Sequence, residues 1–159
     1  MTQLMNKRTQ DAIATLHPKI RTLVTQGANE ADMALSGRAD MIIVQALRTF
    51  PEQTKLYLQK PKVTNAKAGQ SYHNYGLAFD FCLQIDGKDI SWDTVKDFDG
   101  DKKSDWYEVI AIFESLGFKS GKSFNDLPHL EMAFGKNWRD YLKQYNAKDF
   151  IAGTNYVKI

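Results

Sequence analysis

The run LAFDFCLQI at residues 77–85 constrains the fold more than any other stretch. Leu77, Phe79, Phe81 and Leu83 alternate with Ala78, Asp80, Cys82 and Gln84. A period of two is the signature of a strand, and the large apolar set marks its buried face. Asp80 therefore points away from Phe79 and Phe81. A carboxylate in such a strand is costly unless a partner or a cation compensates its burial. His73 precedes it across a Tyr-Gly turn, in SYHNYGLAFDF. The Asp86–Gly87 pair that follows is a hairpin signal, predicting a second strand over 88–92.

The rest of the chain supplies partners for this strand. Ile13, Leu16, Ile20, Leu23 and Val24 recur at helical spacing over 7–27, with Pro18 as a break or restart and Gly27 as a stop. DMIIVQAL at 40–47 reads as a buried strand. Pro51 suits the first turn of a helix carrying Leu56 and Tyr57. Residues 61–76 are a polar, glycine-bearing loop, long enough to suggest function. Residues 105–116 read as a helix capped by Gly117. PHLEMAF at 128–134 reads as a strand with His129 and Glu131 on one face. A short helix, NWRDYLKQY, and a tail at 137–159 close the chain. The expectation is a single α+β domain over 1–159, with helices around a small, mostly antiparallel sheet.

A chain of 159 residues can bury a core without disulfides, and a single cysteine, Cys82, forbids an internal one. Inside its apolar run Cys82 reads as a small buried hydrophobe rather than a reactive thiol. A net charge of +2, without a basic stripe, gives no case for nucleic acid. No apolar run is long enough to cross a membrane. MTQLMNKRTQ lacks an apolar signal-peptide core, so the expectation is synthesis in the cytoplasm, with action outside dependent on separate release.

His73, Asp80 and His129 stand on strands or at their edges. Imidazole and carboxylate are ordinary zinc ligands, and three protein ligands with an open fourth position is the catalytic arrangement. One cysteine and three histidines cannot supply a closed thiolate site. The plainer alternatives are a polar histidine near a turn and an aspartate bonded to backbone. The third histidine, His17 in TLHPKI, lies outside these patterns and reads as packing or surface.

The pattern S-x-H-x-x-G-x-A-x-D is present without a gap as Ser71, His73, Gly76, Ala78 and Asp80. DLPHLE adds Asp126 three places before His129, and ALRTFPEQTKLY adds Arg48, Glu52 and Gln53. In their order along the chain, over residues 45–131, the three motifs resemble the zinc peptidases that include D-alanyl-D-alanine carboxypeptidases, vancomycin-resistance dipeptidases and L-alanyl-D-glutamate endopeptidases of bacteria and phages. The family domain would span about Leu16 to Phe134. The resemblance implies a hedgehog- and DD-peptidase-like fold, with His73, Asp80 and His129 as zinc ligands. It makes Asp126 the acid/base, where many members have Glu, and Arg48 the group that stabilises substrate or transition-state charge. Ser71, Gln53 and Glu131 would support these residues. Glu131 would orient a ligand or simply face solvent. The plainer readings are a turn residue for Asp126 and a surface ion pair for Arg48. Many members have Ser-Gly-Tyr-Arg where this chain has Gln45-Ala46-Leu47-Arg48, so the shape of that turn is the open point.

The resemblance also implies the substrate, peptidoglycan stem peptides. The compact chain and its loop and DLPHLE segment look most like the L-alanyl-D-glutamate endopeptidases, and the N-terminus suits a phage endolysin acting on the cell wall as a monomer. The alternatives are a D-Ala-D-Ala carboxypeptidase with the same site and a non-catalytic zinc-binding module.

KDFDGDKKSDWYEV holds a second candidate ion site. Asp97, Asp99, Asp101, Asp105 and Glu108 match positions 1, 3, 5, 9 and 12 of an EF-hand-like calcium loop. Position 6, normally glycine, is Lys102, and Gly100 comes early. The competing reading is a solvated acidic turn with Asp105 and Glu108 as a helix-capping box.

Overall fold

The computed structural model describes residues 5–159. The helices are α1 (Lys7–Thr15), α2 (Pro18–Ala34), α3 (Phe50–Tyr57), α4 (Asp105–Ser115) and α5 (Trp138–Asn146). The strands are β1 (Ala39–Gln45), β2 (Ala78–Ile85), β3 (Asp89–Ser91), β4 (Lys119–Gly121) and β5 (Asp126–Glu131). Every strand pairing among the described residues is antiparallel. This is the α+β domain that the patterning predicts.

The alternating run forms the centre of the sheet. β2 pairs with β1 along one edge; along the other it pairs with β5 through residues 78–80 and with β3 through residues 83–85. β4 lies beyond β5. Phe79 and Phe81 pack on α4, with ring centroids 5.2 Å from Phe113 and 4.6 Å from Trp106. The opposite phase of β2 presents Asp80, and the register sets Asp80 directly across from His129 and Ala78 across from Glu131. The hairpin after β2 turns through Asp86 and Gly87, both at positive φ, as an Asp-Gly turn requires. Cys82 is fully buried, and burial pushes its thiol pKa up, as suits an inert packing residue.

Two boundaries differ from the patterning. The helix does not stop at Gly27: α2 runs on to Ala34 and ends before Ser36 and Gly37, which take positive φ. Gly27 is instead a contact point, because a Cβ there would overlap the Phe113 ring. β5 starts at Asp126 and ends at Glu131 rather than spanning 128–134. The short strand β4 carries no recognisable alternation, and pairing with β5 alone defines it. Pro18 does restart the helix, at the first turn of α2, with His17 as N-cap.

His17 is buried. Its Nδ1 accepts the Lys19 N–H at 3.1 Å, and its Nε2–H donates to the Val157 carbonyl at 2.7 Å, tying the tail to α2. Beside it, Gly76 ends a 3-10 turn, Tyr72–Tyr75, that carries His73. Gly76 sits at φ +69, and a Cβ there would lie 2.6 Å from the His17 backbone nitrogen. Conformation and close approach both demand glycine. Gly76→Ala should therefore lower stability by about 1–3 kcal/mol, from the left-handed penalty and local overpacking. Urea denaturation checks this, and an unchanged midpoint would refute it.

Candidate metal centre

Three elements bring the candidate ligands together. The 3-10 turn supplies His73, β2 supplies Asp80 and β5 supplies His129. One ligand atom from each lies within 4.8 Å of the other two. His73 Nε2 is 3.4 Å from Asp80 Oδ1, and His129 Nδ1 is 3.3 Å from the same oxygen. Both histidines are buried, while Asp80 is partly open to a cleft of about 330 Å³. Arg48, Asp126 and Ser71 line that cleft with Leu56, Val63 and Thr64.

The outer ring nitrogens decide what the inner ones offer. His73 Nδ1 is 2.8 Å from the Ala46 carbonyl oxygen, which can only accept, so Nδ1 carries a proton. His129 Nε2 is 2.9 Å from Glu131 Oε1, so it donates there. In neutral rings both inner nitrogens would then aim a lone pair at Asp80 Oδ1. Two lone pairs converging on a carboxylate oxygen repel unless a cation lies among them. Burial opposes charge on His129, but its hydrogen bonds to Asp80 and Glu131 prevail and raise its pKa to about 9, so a proton fills that role when no metal does. Burial likewise opposes ionised Asp80, yet His129 and His73 facing it hold its pKa below the usual carboxylate range. Two imidazoles and a carboxylate, with no thiolate, fit zinc as a donor set.

The supporting residues are visible as contacts. Glu131 is buried and bonds His129, so it is not a solvent-facing strand residue. Ser71 caps the 3-10 turn, its Oγ accepting the His73 N–H at 3.3 Å. The Arg48 N–H donates to the His73 carbonyl at 3.0 Å, and the Asn74 side chain donates to the Arg48 carbonyl at 2.9 Å. The Arg48 side chain donates to Gln53 Oε1 at 3.1 Å, and Gln53 in turn donates to the Ala66 carbonyl at 2.8 Å. Gln45-Ala46-Leu47-Arg48 contains no positive φ, so this turn needs no glycine. A bulge in β1 between Ile43 and Gln45 redirects the chain instead.

Arg48 is not a surface ion pair. Its side chain is 13% exposed, and its nearest carboxylate contact, Asp80 Oδ2, is 4.0 Å away. Its Nε is buried without a hydrogen-bond partner among the described residues. Asp126, at the start of β5, faces the cleft. Partial burial of its carboxyl group and the nearby Asp80 charge raise its pKa. Asn74 and the Ala46 carbonyl are the functional groups that sequence reasoning missed. Asn74 lay inside the motif, next to His73, whereas a backbone oxygen 27 positions from the ring it orients leaves no sequence signal.

The acidic loop also closes on itself. Ligand oxygens of Asp97, Asp99 and Asp101 lie within 4.8 Å of one another, as do those of Asp99, Asp105 and Glu108. Asp105 and Glu108 do occupy the first turn of α4, but the N-cap is Ser104, whose hydroxyl accepts the Tyr107 N–H.

A three-donor cluster opening onto a cleft has the layout of catalytic rather than structural zinc sites, the layout expected of a metallohydrolase. A family model described as D-alanyl-D-alanine carboxypeptidase matches residues 64–132. The peptidoglycan L-alanyl-D-glutamate endopeptidase CwlK of Bacillus subtilis (strain 168) is 44% identical over 126 residues, covering 74% of this chain and 73% of the relative. The chain belongs to this family of zinc peptidases.

Because Glu131 fixes the proton on His129 Nε2, Glu131→Gln should weaken zinc binding by about 10–100-fold. Competition against a chromogenic chelator measures this, and unchanged affinity would remove Glu131 from the site.

Proposed function

We propose that this protein hydrolyses peptidoglycan stem peptides at the bond between L-alanine and D-glutamate, with zinc held by His73, Asp80 and His129. The observation that carries the reading is the convergence of those three ligand atoms on the floor of a cleft walled by Arg48 and Asp126. The choice of bond rests on the 44% identity to an enzyme named for it.

Zinc bound there supplies a Lewis acid that acidifies water and polarises the scissile carbonyl. The chain's own groups supply the rest. Asp126, facing the cleft, accepts the proton of the attacking water and delivers it to the departing amine of D-glutamate. Its raised pKa suits a group that must both take and return a proton. Arg48 offers cationic hydrogen bonds to the developing oxyanion or to a substrate carboxylate, and Gln53 and Asn74 hold it in place beforehand. The Ala46 carbonyl and Glu131 keep the two imidazoles turned inward, and Ser71 caps the turn that carries His73. The products are a new L-alanine carboxylate and a free D-glutamate amine. The place of action would be the cell wall, as a phage endolysin or a bacterial remodelling peptidase. Among the described residues no helix is long and apolar enough to cross a membrane.

The carboxypeptidase alternative keeps the same site, and the description of the matching family model favours it. Mass spectrometry of purified stem peptides after digestion separates the readings. A new free amine on D-glutamate is expected, lost on metal removal and restored by zinc. Loss of terminal D-alanine alone would assign the carboxypeptidase, and no cleavage by zinc-loaded protein would favour a binding module. Asp126→Ala should retain zinc yet lose about 10²–10⁴-fold in turnover; full activity would overturn the acid/base role.

A further inference from the structure

We propose that the loop Asp97–Glu108 is a calcium site, built from Asp97, Asp99, Asp101, Asp105 and Glu108, that secures the N-terminus of α4. A group of acidic residues alone would not carry this, since surface acidic turns are common. The decisive observation is a set of oxygens buried with nothing to bond.

Asp105 is fully buried. Its Oδ1 accepts the Phe98 N–H at 3.3 Å, but its Oδ2 has no partner among the described residues. Asp99 and Glu108 are only half-buried, but their Oδ2 and Oε2 atoms are shielded from solvent and have no hydrogen-bond partner among the described residues. Oxygens of these three residues converge within 4.8 Å. Orphaned buried oxygens are each costly, and adjacent like charges add to that cost. A hard cation with oxygen ligands removes both costs at once.

The backbone already has the shape that the residue pattern called into question. Lys102, at the position normally reserved for glycine, takes φ +69. The Gly100 and Lys102 N–H groups each donate to the Asp97 carboxylate at 2.8 Å. The Asp101 N–H donates to Asp99 Oδ1 at 3.2 Å and the Lys103 N–H to Asp101 Oδ1 at 2.8 Å. The loop thus folds inward around its carboxylates despite lacking the usual glycine. Burial and the surrounding carboxylates raise Asp105 to about 6 and Glu108 to about 7, consistent with a cluster short of positive charge. Five carboxylates from one short loop exceed what magnesium, which retains its water, requires, and they suit the larger calcium ion.

The site has a structural line to the catalytic cleft. Trp106, next to Asp105, packs against Phe81, and its indole N–H donates to the Leu127 carbonyl at 3.0 Å. Leu127 follows Asp126 in β5. An ion at the head of α4 therefore steadies the strand that presents Asp126.

The test uses the full chain with its zinc site filled. Terbium, a calcium-sized probe, should give luminescence sensitised by the adjacent Trp106, displaced by calcium and far less by magnesium. Millimolar calcium should raise the melting temperature. Glu108→Gln should weaken calcium binding by at least about tenfold, since it removes a ligand charge. Asp105→Asn should fold at least as stably without calcium and lose most of the calcium-dependent shift. Wild-type protein with neither a melting shift nor calcium-displaceable luminescence would overturn the proposal. Equal shifts in wild type and Glu108→Gln would overturn it too, by placing the ion elsewhere.

Discussion

The Asp80 carboxylate, held in the middle of a central strand, is the constraint on which the site depends. In an apolar sheet it is tolerable only as one member of a cation-binding group. Its neighbours are arranged to make it so. β5 sets His129 directly across from it, the 3-10 turn brings His73 to the same oxygen, and each imidazole is anchored from behind by an acceptor, the Ala46 carbonyl or the Glu131 carboxylate. The cost of burying Asp80 is thereby converted into a preorganised affinity for a positive ion.

That arrangement rests on packing some distance away. Gly76 lets the turn bearing His73 lie against the start of α2, and His17 then ties that start to the C-terminal tail. Phe79 and Phe81, the other phase of the same strand, lock β2 onto α4 through Phe113 and Trp106. One alternating strand thus serves both functions: its apolar phase anchors the sheet, and its polar phase presents the ligand.

The second acidic cluster follows the same logic with different donors. Near His73 and His129 the carboxylate would share an ion with imidazoles, which suits zinc. At the head of α4 the donors are oxygens alone, which suits a harder ion. Trp106, beside the second cluster, hydrogen-bonds the Leu127 carbonyl, which links that cluster to the strand bearing Asp126 and His129.

The sequence by itself determined the strand period, the identity of the carboxylate in the central strand, the first helical turns marked by Pro18 and Pro51, and the motif spacing that places the chain in its family. These are local properties, set by alternation, proline geometry and neighbouring side chains. Gly27 misled as a helix stop because its role is contact with Phe113, 86 positions away in the chain. β4 and the exact span of β5 were illegible for a related reason: their ladder, not their composition, defines them. Only the tertiary structure decided that Glu131 faces His129 rather than solvent, that Arg48 needs no glycine in its turn, and that the Ala46 carbonyl sets the His73 tautomer. Each of these depends on a hydrogen bond or a backbone path set by packing between segments, and such pairings exist only once the sheet has closed.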